Sequence, residues 1–118
     1  NLPDFSHLPQ LKTIEVSDSE VSGNLPLFQH CPLLRQIFFS STQLSGEIPN
    51  YQLPYLDVLE ISSSRILGQL PNFDGLPNLK SLYLSDNHLI GRFPKIENCP
   101  GVEHIYAQNN NFSGPIPS

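Results

Sequence analysis

Residues 76–94 read LPNLKSLYLSDNHLIGRFP, and this stretch combines two apolar rhythms in one short unit. Within Leu82-Tyr83-Leu84 the leucines alternate with Tyr83, which is the pattern of a short strand with one face turned inward. Elsewhere the apolar residues return about every three positions, which indicates a coil that turns back on itself. One unit is too small to close a core, so the stretch predicts a fold in which similar units stack.

The same unit recurs along the whole chain. Five glycines are separated by 23, 22, 23 and 23 residues, and eleven of the 12 prolines fall in two columns with matching spacing. Stacked strands about 4.8 Å apart would span roughly 20 Å over five rungs. The sequence predicts a single solenoid over residues 1–118, with a partial repeat at 1–7, repeats at about 8–30, 31–52, 53–75, 76–98 and 99–118, and no capping domains. The glycines are Gly23, Gly46, Gly68, Gly91 and Gly114.

A column of short polar residues follows each predicted strand. Such side chains can bond backbone groups in the turn. Only asparagine offers a donor and an acceptor in one planar amide, so we expect the first three repeats, which carry hydroxyls there, to be held less rigidly. The column is Ser19, Thr42, Ser64, Asn87 and Asn110.

Two further columns are predicted to face inward. Cys31 and Cys99 share the position of Leu8, Leu53 and Leu76 in other repeats. Three rungs place the two cysteines roughly 14 Å apart, which is beyond disulfide reach, so we expect buried, free thiols. The other column predicts a stacked aromatic spine and consists of Phe5, Phe28, Tyr51, Phe73 and Ile96.

These units resemble leucine-rich repeats. The endings TQLSGEIP (42–49) and NNNFSGPIP (109–117) are similar to the plant-type subclass found in receptor-like kinases and receptor-like proteins. The resemblance implies a right-handed superhelix with a short parallel β-sheet on the concave face and irregular or 3-10 segments on the convex face. The chain departs from that family in three repeats that lack the turn asparagine, and in the absence of paired-cysteine caps. FSHLPQL (5–11) and FDGLPNL (73–79) are also similar to surface repeat proteins of bacteria and protists.

Composition and motifs exclude several function classes. The formal charge is −5 without a basic cluster, which disfavours nucleic acid, and no apolar run is long enough to insert this segment into a membrane. Motifs for an enzyme nucleophile, a phosphate-binding loop or a cofactor are absent, so the sequence predicts neither catalytic residues nor cofactors. His7 and His30 occupy one column and could hold a metal only with a third ligand, which the sequence does not offer.

The outward positions of the predicted strands carry the candidate site. Large rings stand there although no core needs them, and aromatic residues are enriched where proteins bind partners. A serine column beside them matches the family consensus and is interpreted as structural. We predict a ligand-binding surface on the concave face, centred on Tyr83 and Tyr106 in the last two repeats. Its residues are Phe38, Glu60, Tyr83, Asp86, His104, Tyr106 and Asn109.

Asn111-Phe112-Ser113 forms the one N-x-[Ser/Thr] sequon of the chain. In the predicted register Asn111 points outward beside the inward Asn110. The sequon predicts a glycosylation site if the chain is secreted in a eukaryote, and otherwise a plain turn asparagine.

Three functions fit a solenoid of this kind. The leading one is a non-enzymatic, extracellular or cell-surface recognition module that binds a protein, peptide or glycan on the concave sheet. The second is a structural or adhesive array that stacks end to end into fibres. The third is ice binding, which some plant proteins of the resembled family perform and which needs a uniform outward column. The irregular outward columns favour the first function.

The ends of the chain raise a related expectation. Residues 1–4 align with residues 115–118 of the repeat, and solenoid ends normally require polar caps. We expect the sequence to be an excerpt of a longer repeat protein, or else a unit that associates with copies of itself.

Overall fold

Each repeat contributes one strand to each of two parallel five-stranded sheets. The structure is a computed structural model that describes residue 5, residues 8–97 and residues 99–114. It measures 40 × 30 × 18 Å. The described residues include no helix of the length and hydropathy that a membrane span requires.

The first sheet contains the strands that the alternating leucines predict. Its order is β1-β3-β5-β7-β9, and neighbouring strands pair without any shift between repeats, so that Glu60 pairs with Phe38 on one side and Tyr83 on the other. The strands are β1 Thr13–Ser17, β3 Gln36–Ser40, β5 Val58–Ser62, β7 Ser81–Tyr83 and β9 His104–Tyr106.

The second sheet was not predicted from the sequence. Its order is β10-β8-β6-β4-β2, and each strand includes or directly precedes the turn glycine. An alternating pattern that contains a single buried residue, such as Leu44 between Gln43 and Ser45, is too short to distinguish a strand from a turn. The strands are β2 Ser22–Asn24, β4 Gln43–Gly46, β6 Arg65–Gly68, β8 His88–Arg92 and β10 Asn111–Ser113.

Turns and irregular backbone complete each repeat. Consecutive hydrogen bonds of the i to i+3 type run from Cys31 N to Phe28 O at 3.0 Å and from Leu34 N to Cys31 O at 3.2 Å. The same pair of bonds recurs in other repeats. The irregular segments expected from the resemblance are therefore confirmed, but within the described residues these bonds form separate turns and not a 3-10 helix.

The apolar core lies between the two sheets and the turns. In β5, Leu59 and Ile61 are fully buried while Val58, Glu60 and Ser62 face outward. The cysteine column is buried as predicted: Cys31 and Cys99 are 0% and 1% exposed, and both are free.

Leu8 is the exception in that inward column. It is 44% exposed, although its counterparts in the other repeats are buried. The expectation that Leu8 faces the core is therefore wrong. Strand β1 pairs only with β3 among the described residues, so the first repeat is packed on one side.

Asparagine side chains join successive repeats through the polar column. Asn87 Oδ1 accepts hydrogen bonds from the backbone N–H groups of Ser64 at 3.2 Å and Ile66 at 3.3 Å, one repeat earlier. Its Nδ2 donates to the Ile61 carbonyl at 2.8 Å. In the preceding repeats the contact is a hydroxyl pair, Thr42 Oγ1 to Ser64 Oγ at 2.8 Å. Asn87 thus makes three inter-repeat bonds, whereas Ser64 and Asn110 make two each.

The aromatic column forms a spine through the early repeats. The ring centroids of Phe5 and Phe28 are 5.2 Å apart, and those of Phe28 and Tyr51 are 6.0 Å apart. The Tyr51 hydroxyl donates to the Pro26 carbonyl at 2.9 Å. Phe73 is buried in the same column, and its backbone carbonyl accepts a hydrogen bond from the Cys99 thiol.

A left-handed residue follows the first-sheet strand in every repeat. These residues have φ between 50° and 63°, a conformation that aspartate and asparagine tolerate better than most residues. The repeat pattern predicts these residues as outward strand positions, and this is wrong because they lie in the turns beyond the strands. They are Asp18, Ser41, Ser63, Asp86 and Asn109.

The turn glycine leaves room for a side chain of the preceding repeat. At Gly68, which has a φ of +79°, an added Cβ would lie 2.6 Å from Glu47 Cγ. At Gly91 the corresponding contact is 2.7 Å from Gln69 Cγ. Glycine is required at these positions both by backbone conformation and by this close approach.

Candidate functional site

The outward side chains of the first sheet form rows that cross all five strands. Because the pairing carries no shift, each residue stands beside its equivalent in the next repeat. The central row combines carboxylates and aromatic rings, which are groups that a core does not need on this face. In order across the sheet the row is Glu15, Phe38, Glu60, Tyr83 and Tyr106.

Tyr83 and Tyr106 stack on each other. Their ring centroids are 5.1 Å apart, and the ring planes differ by 4°. His104 lies along the same strand as Tyr106, with its ring 6.4 Å away and 13° from parallel. Tyr106 remains 44% exposed. The three rings form an accessible aromatic surface at the β7-β9 side of the sheet.

A cavity of about 370 Å³ opens beside the tyrosine pair. Four of the predicted site residues line it: Glu60, Tyr83, Asp86 and Tyr106. The other lining residues come from the serine column and the left-handed turns, and they are Ser62, Ser63, Ser85 and Gln108.

Hydrogen bonds hold both carboxylates of the cavity. The Ser62 hydroxyl donates to Glu60 Oε2 at 3.3 Å. Asn109 Nδ2 donates to Asp86 Oδ1 at 2.7 Å, between turns of neighbouring repeats. Serine and asparagine thereby orient acceptor groups toward a common opening.

The structure brings most of the predicted site residues close together. His104 and Asn109 do not line the cavity, but they contact Tyr106 and Asp86, which do. Phe38 lies apart on β3, beside Glu60 in register and two strands away from Tyr83. Ser62, Ser85 and Gln108 also line the cavity, although the sequence pattern interprets their column as part of the repeat frame.

A second cavity of about 320 Å³ lies at the start of the first-sheet strands. Its charged residues alternate in sign along consecutive repeats, as Arg35, Asp57 and Lys80, and Tyr55 is 49% exposed beside them. Asn78 Nδ2 donates to the Pro54 carbonyl at 2.7 Å in its wall. Mixed charge gives this cavity no preference for a ligand of one sign.

The predicted glycosylation site lies on the second sheet. Asn111 is exposed at the start of β10 and pairs with Ile90 of β8. A glycan there would leave the aromatic row of the first sheet uncovered. His7, one of the two histidines considered as metal ligands, lies outside the described residues. Residues 1–4 and 115–118, which align with each other in the repeat, also lie outside them.

The fold and its rows of outward side chains define a leucine-rich repeat solenoid. The Leucine Rich Repeat family model matches residues 78–99, which include β7 and β8. No curated protein matches the chain in sequence.

Several solved structures are similar to the chain in both sequence and fold. A TDR receptor is 34% identical with a TM-score of 0.85, over 92% of this chain and 20% of its own. The ectodomain of the Arabidopsis receptor kinase HAESA, in complex with an N-terminally extended IDA peptide hormone ligand, is 32% identical with a TM-score of 0.81, over 90% and 19%. A plant ice-binding protein is also 32% identical with a TM-score of 0.81, over 89% and 36%. The chain therefore carries leucine-rich repeats similar to those of plant receptor ectodomains, and it spans only 36%, 19% and 20% of the ice-binding protein, HAESA and TDR structures.

Proposed function

We propose that the chain is a non-enzymatic, extracellular recognition segment that binds a peptide or protein on the outer face of its first sheet. The observation that carries the proposal is the exposed, parallel stack of Tyr83 and Tyr106 beside a polar cavity. Aromatic residues supply large contact area at little cost in side-chain entropy. The similarity to the HAESA ectodomain, which was solved with a peptide hormone, supports the same reading.

The chemistry of the cavity favours a ligand with polar groups over a purely apolar one. Serine hydroxyls, the Gln108 amide and two carboxylates surround the rings. Pockets of this kind fix a ligand through a few polar contacts while rings provide most of the buried area.

The test is a selection of displayed random dodecapeptides on the immobilised chain, followed by affinity measurements on Tyr83→Ala and Tyr106→Ala variants. Each change should weaken the selected peptides by more than about 1 kcal/mol, or about fivefold. Tyr55→Ala is the matched control, since Tyr55 is 49% exposed, close to the 44% of Tyr106, but lines the other cavity. Selected ligands that bind all variants with one affinity would show that this face is not the binding surface.

Ice binding is the second candidate, favoured by the similarity to a plant ice-binding protein. The outward row that begins with Thr13, Gln36 and Val58 argues against it, because the residue type changes at each step along that row. Thermal hysteresis in a nanolitre osmometer tests it directly. We expect no hysteresis from this chain, and a gap between melting and freezing points that grows with its concentration would favour the ice-binding function.

A structural array that stacks end to end is the remaining alternative. It predicts concentration-dependent association, which analytical ultracentrifugation measures. We expect peptide binding to persist at concentrations where the chain sediments as a monomer. Binding that appears only in the associated form would favour the array.

A further inference from the structure

From the central row of the first sheet, we propose that Glu60 and Tyr83 form a subsite for the guanidinium group of an arginine side chain in the ligand. The inference rests on the proposed function and names the chemistry that this face selects. Three observations carry it: the charge of the face, the free side of the tyrosine stack, and the position of the Glu60 carboxylate.

The outer face of the first sheet carries only negative formal charge among its described positions. Glu15 and Glu60 lie on the strands, and Asp18 and Asp86 lie in the turns that follow. The lysines and arginines of the chain occupy other positions, beginning with Lys12 and Arg35 just before β1 and β3. A cationic ligand group is therefore drawn to this face, and an anionic one is repelled.

The tyrosine stack leaves one face of Tyr83 directed at Glu60. Strand β7 lies between β5 and β9, and Tyr106 on β9 covers one side of the Tyr83 ring. Because the two rings are within 4° of parallel, the other side of Tyr83 is turned toward β5. Glu60 is the residue of β5 that pairs with Tyr83.

The spacing of the strands suits a cation that contacts both groups. Neighbouring strands lie about 4.8 Å apart, and a cation binds a ring face within about 6 Å of the ring centroid. A group held over the β5 side of Tyr83 is therefore within reach of the Glu60 carboxylate, which Ser62 orients from the same strand. Both residues line the cavity of about 370 Å³, so the position is open to a ligand side chain.

Guanidinium fits this arrangement better than ammonium. It is planar and stacks flat on an aromatic ring while its edge donates two parallel hydrogen bonds to one carboxylate. Ammonium is more strongly hydrated and makes a point contact. The geometry thus selects arginine over lysine as the ligand residue.

The first experiment titrates the 118-residue chain with N-acetyl-arginine methylamide and follows backbone amide shifts by NMR at constant ionic strength. We expect saturable shifts at Glu60 and Tyr83, with the citrulline analogue at least tenfold weaker and the lysine analogue intermediate. Absence of saturable shifts there, or equal binding of arginine and citrulline analogues, would overturn the subsite.

Matched variants distinguish a specific contact with Glu60 from a general effect of the negative charge of this face. Glu60→Gln should weaken the arginine analogue by about tenfold or more, while Glu15→Gln, with the same charge change in the same row but outside the cavity, should alter it less than twofold. Tyr83→Phe keeps the ring face and should retain binding, whereas Tyr83→Leu should lose it. Equal effects of the two glutamate changes would mean that only net charge is sensed.

The outcome for the subsite is distinguishable from that for the proposed function. If the selected dodecapeptides require Tyr83 and Tyr106 but show no enrichment in arginine and are indifferent to Glu60→Gln, the binding face stands and the guanidinium subsite is wrong. If arginine is enriched but binding ignores both tyrosine changes, the proposed face itself is wrong.

Discussion

Replacing Asn87 with alanine tests the bonds that join one repeat to the next. The Asn87 side chain is 6% exposed and satisfies the backbone N–H groups of Ser64 and Ile66. It also donates to the carbonyls of Ile61, Leu84 and Ser85, at 2.8, 3.2 and 3.2 Å. Alanine would leave two donors without their acceptor in a site that excludes water.

The magnitude follows from those two orphaned donors. A buried unsatisfied donor costs about 1–3 kcal/mol, so the loss of the acceptor for two donors in Asn87→Ala should lower the free energy of unfolding by about 2–6 kcal/mol. Small domains have only about 5–15 kcal/mol in total. Ser64→Ala, which removes the hydroxyl contacts to Thr42 at 2.8 and 3.4 Å, should cost about 1–2 kcal/mol.

Urea denaturation followed by circular dichroism measures both values. Asn72→Ala is the control, because Asn72 also accepts a bond from a backbone N–H, that of Asp74 at 3.1 Å, but does so at an exposed turn. It should cost less than about 1 kcal/mol. If Asn87→Ala lowered the free energy of unfolding no more than Asn72→Ala, the stabilising role assigned to the asparagines of the polar column would be refuted.

Three further predictions follow from the core and the turns. Cys31 and Cys99 should resist a thiol reagent in the folded chain and react once urea unfolds it, because burial excludes the reagent and raises the pKa of both thiols; rapid native labelling would contradict their burial. Gly68→Ala should destabilise the chain by at least about 1 kcal/mol, since it has a positive φ and contacts the preceding repeat, while Gly101→Ala, with nothing within 4 Å, should change the melting temperature little. Burial raises the pKa of Tyr51, so the folded state retains a proton that the unfolded state releases, and stability should fall as pH rises above about 10; Tyr51→Phe should reduce this alkaline loss, and an unchanged pH profile would argue against it.

Much of the fold could be predicted because its signals are periodic. Apolar residues flank the central outward position of the strand in every repeat, as Leu82 and Leu84 flank Tyr83, and the spacing of the glycines fixes which residues stand side by side. The second sheet could not be predicted in this way, because each of its strands carries at most one buried residue, such as Leu89, close to a glycine that also suits a turn. Strand pairing across repeats, and not local preference, turns these short segments into a sheet.

The candidate site was predictable at the level of rows but not of shape. Outward register placed Tyr83 beside Tyr106 and Glu60, and the structure brings these side chains together. The depth of the cavity depends on Ser62 and Ser85, whose small side chains leave space that a sequence column does not reveal. Which of these residues contact a ligand stays a prediction.

The hydrogen bonds of Asn87 and Asn110 to neighbouring repeats all run in one direction along the chain. Each member reaches back to the repeat before it: Asn110 accepts a bond from Leu89 N at 3.0 Å, just as Asn87 does from Ser64 and Ile66. A repeat therefore obtains the acceptor for its own turn from the residues that follow it in sequence. During synthesis on the ribosome the earlier repeat emerges first, and it must wait for about one more repeat length of chain before its turn donors are satisfied. Within the described residues, the most recently made repeat is therefore the one whose turn donors still lack these acceptors.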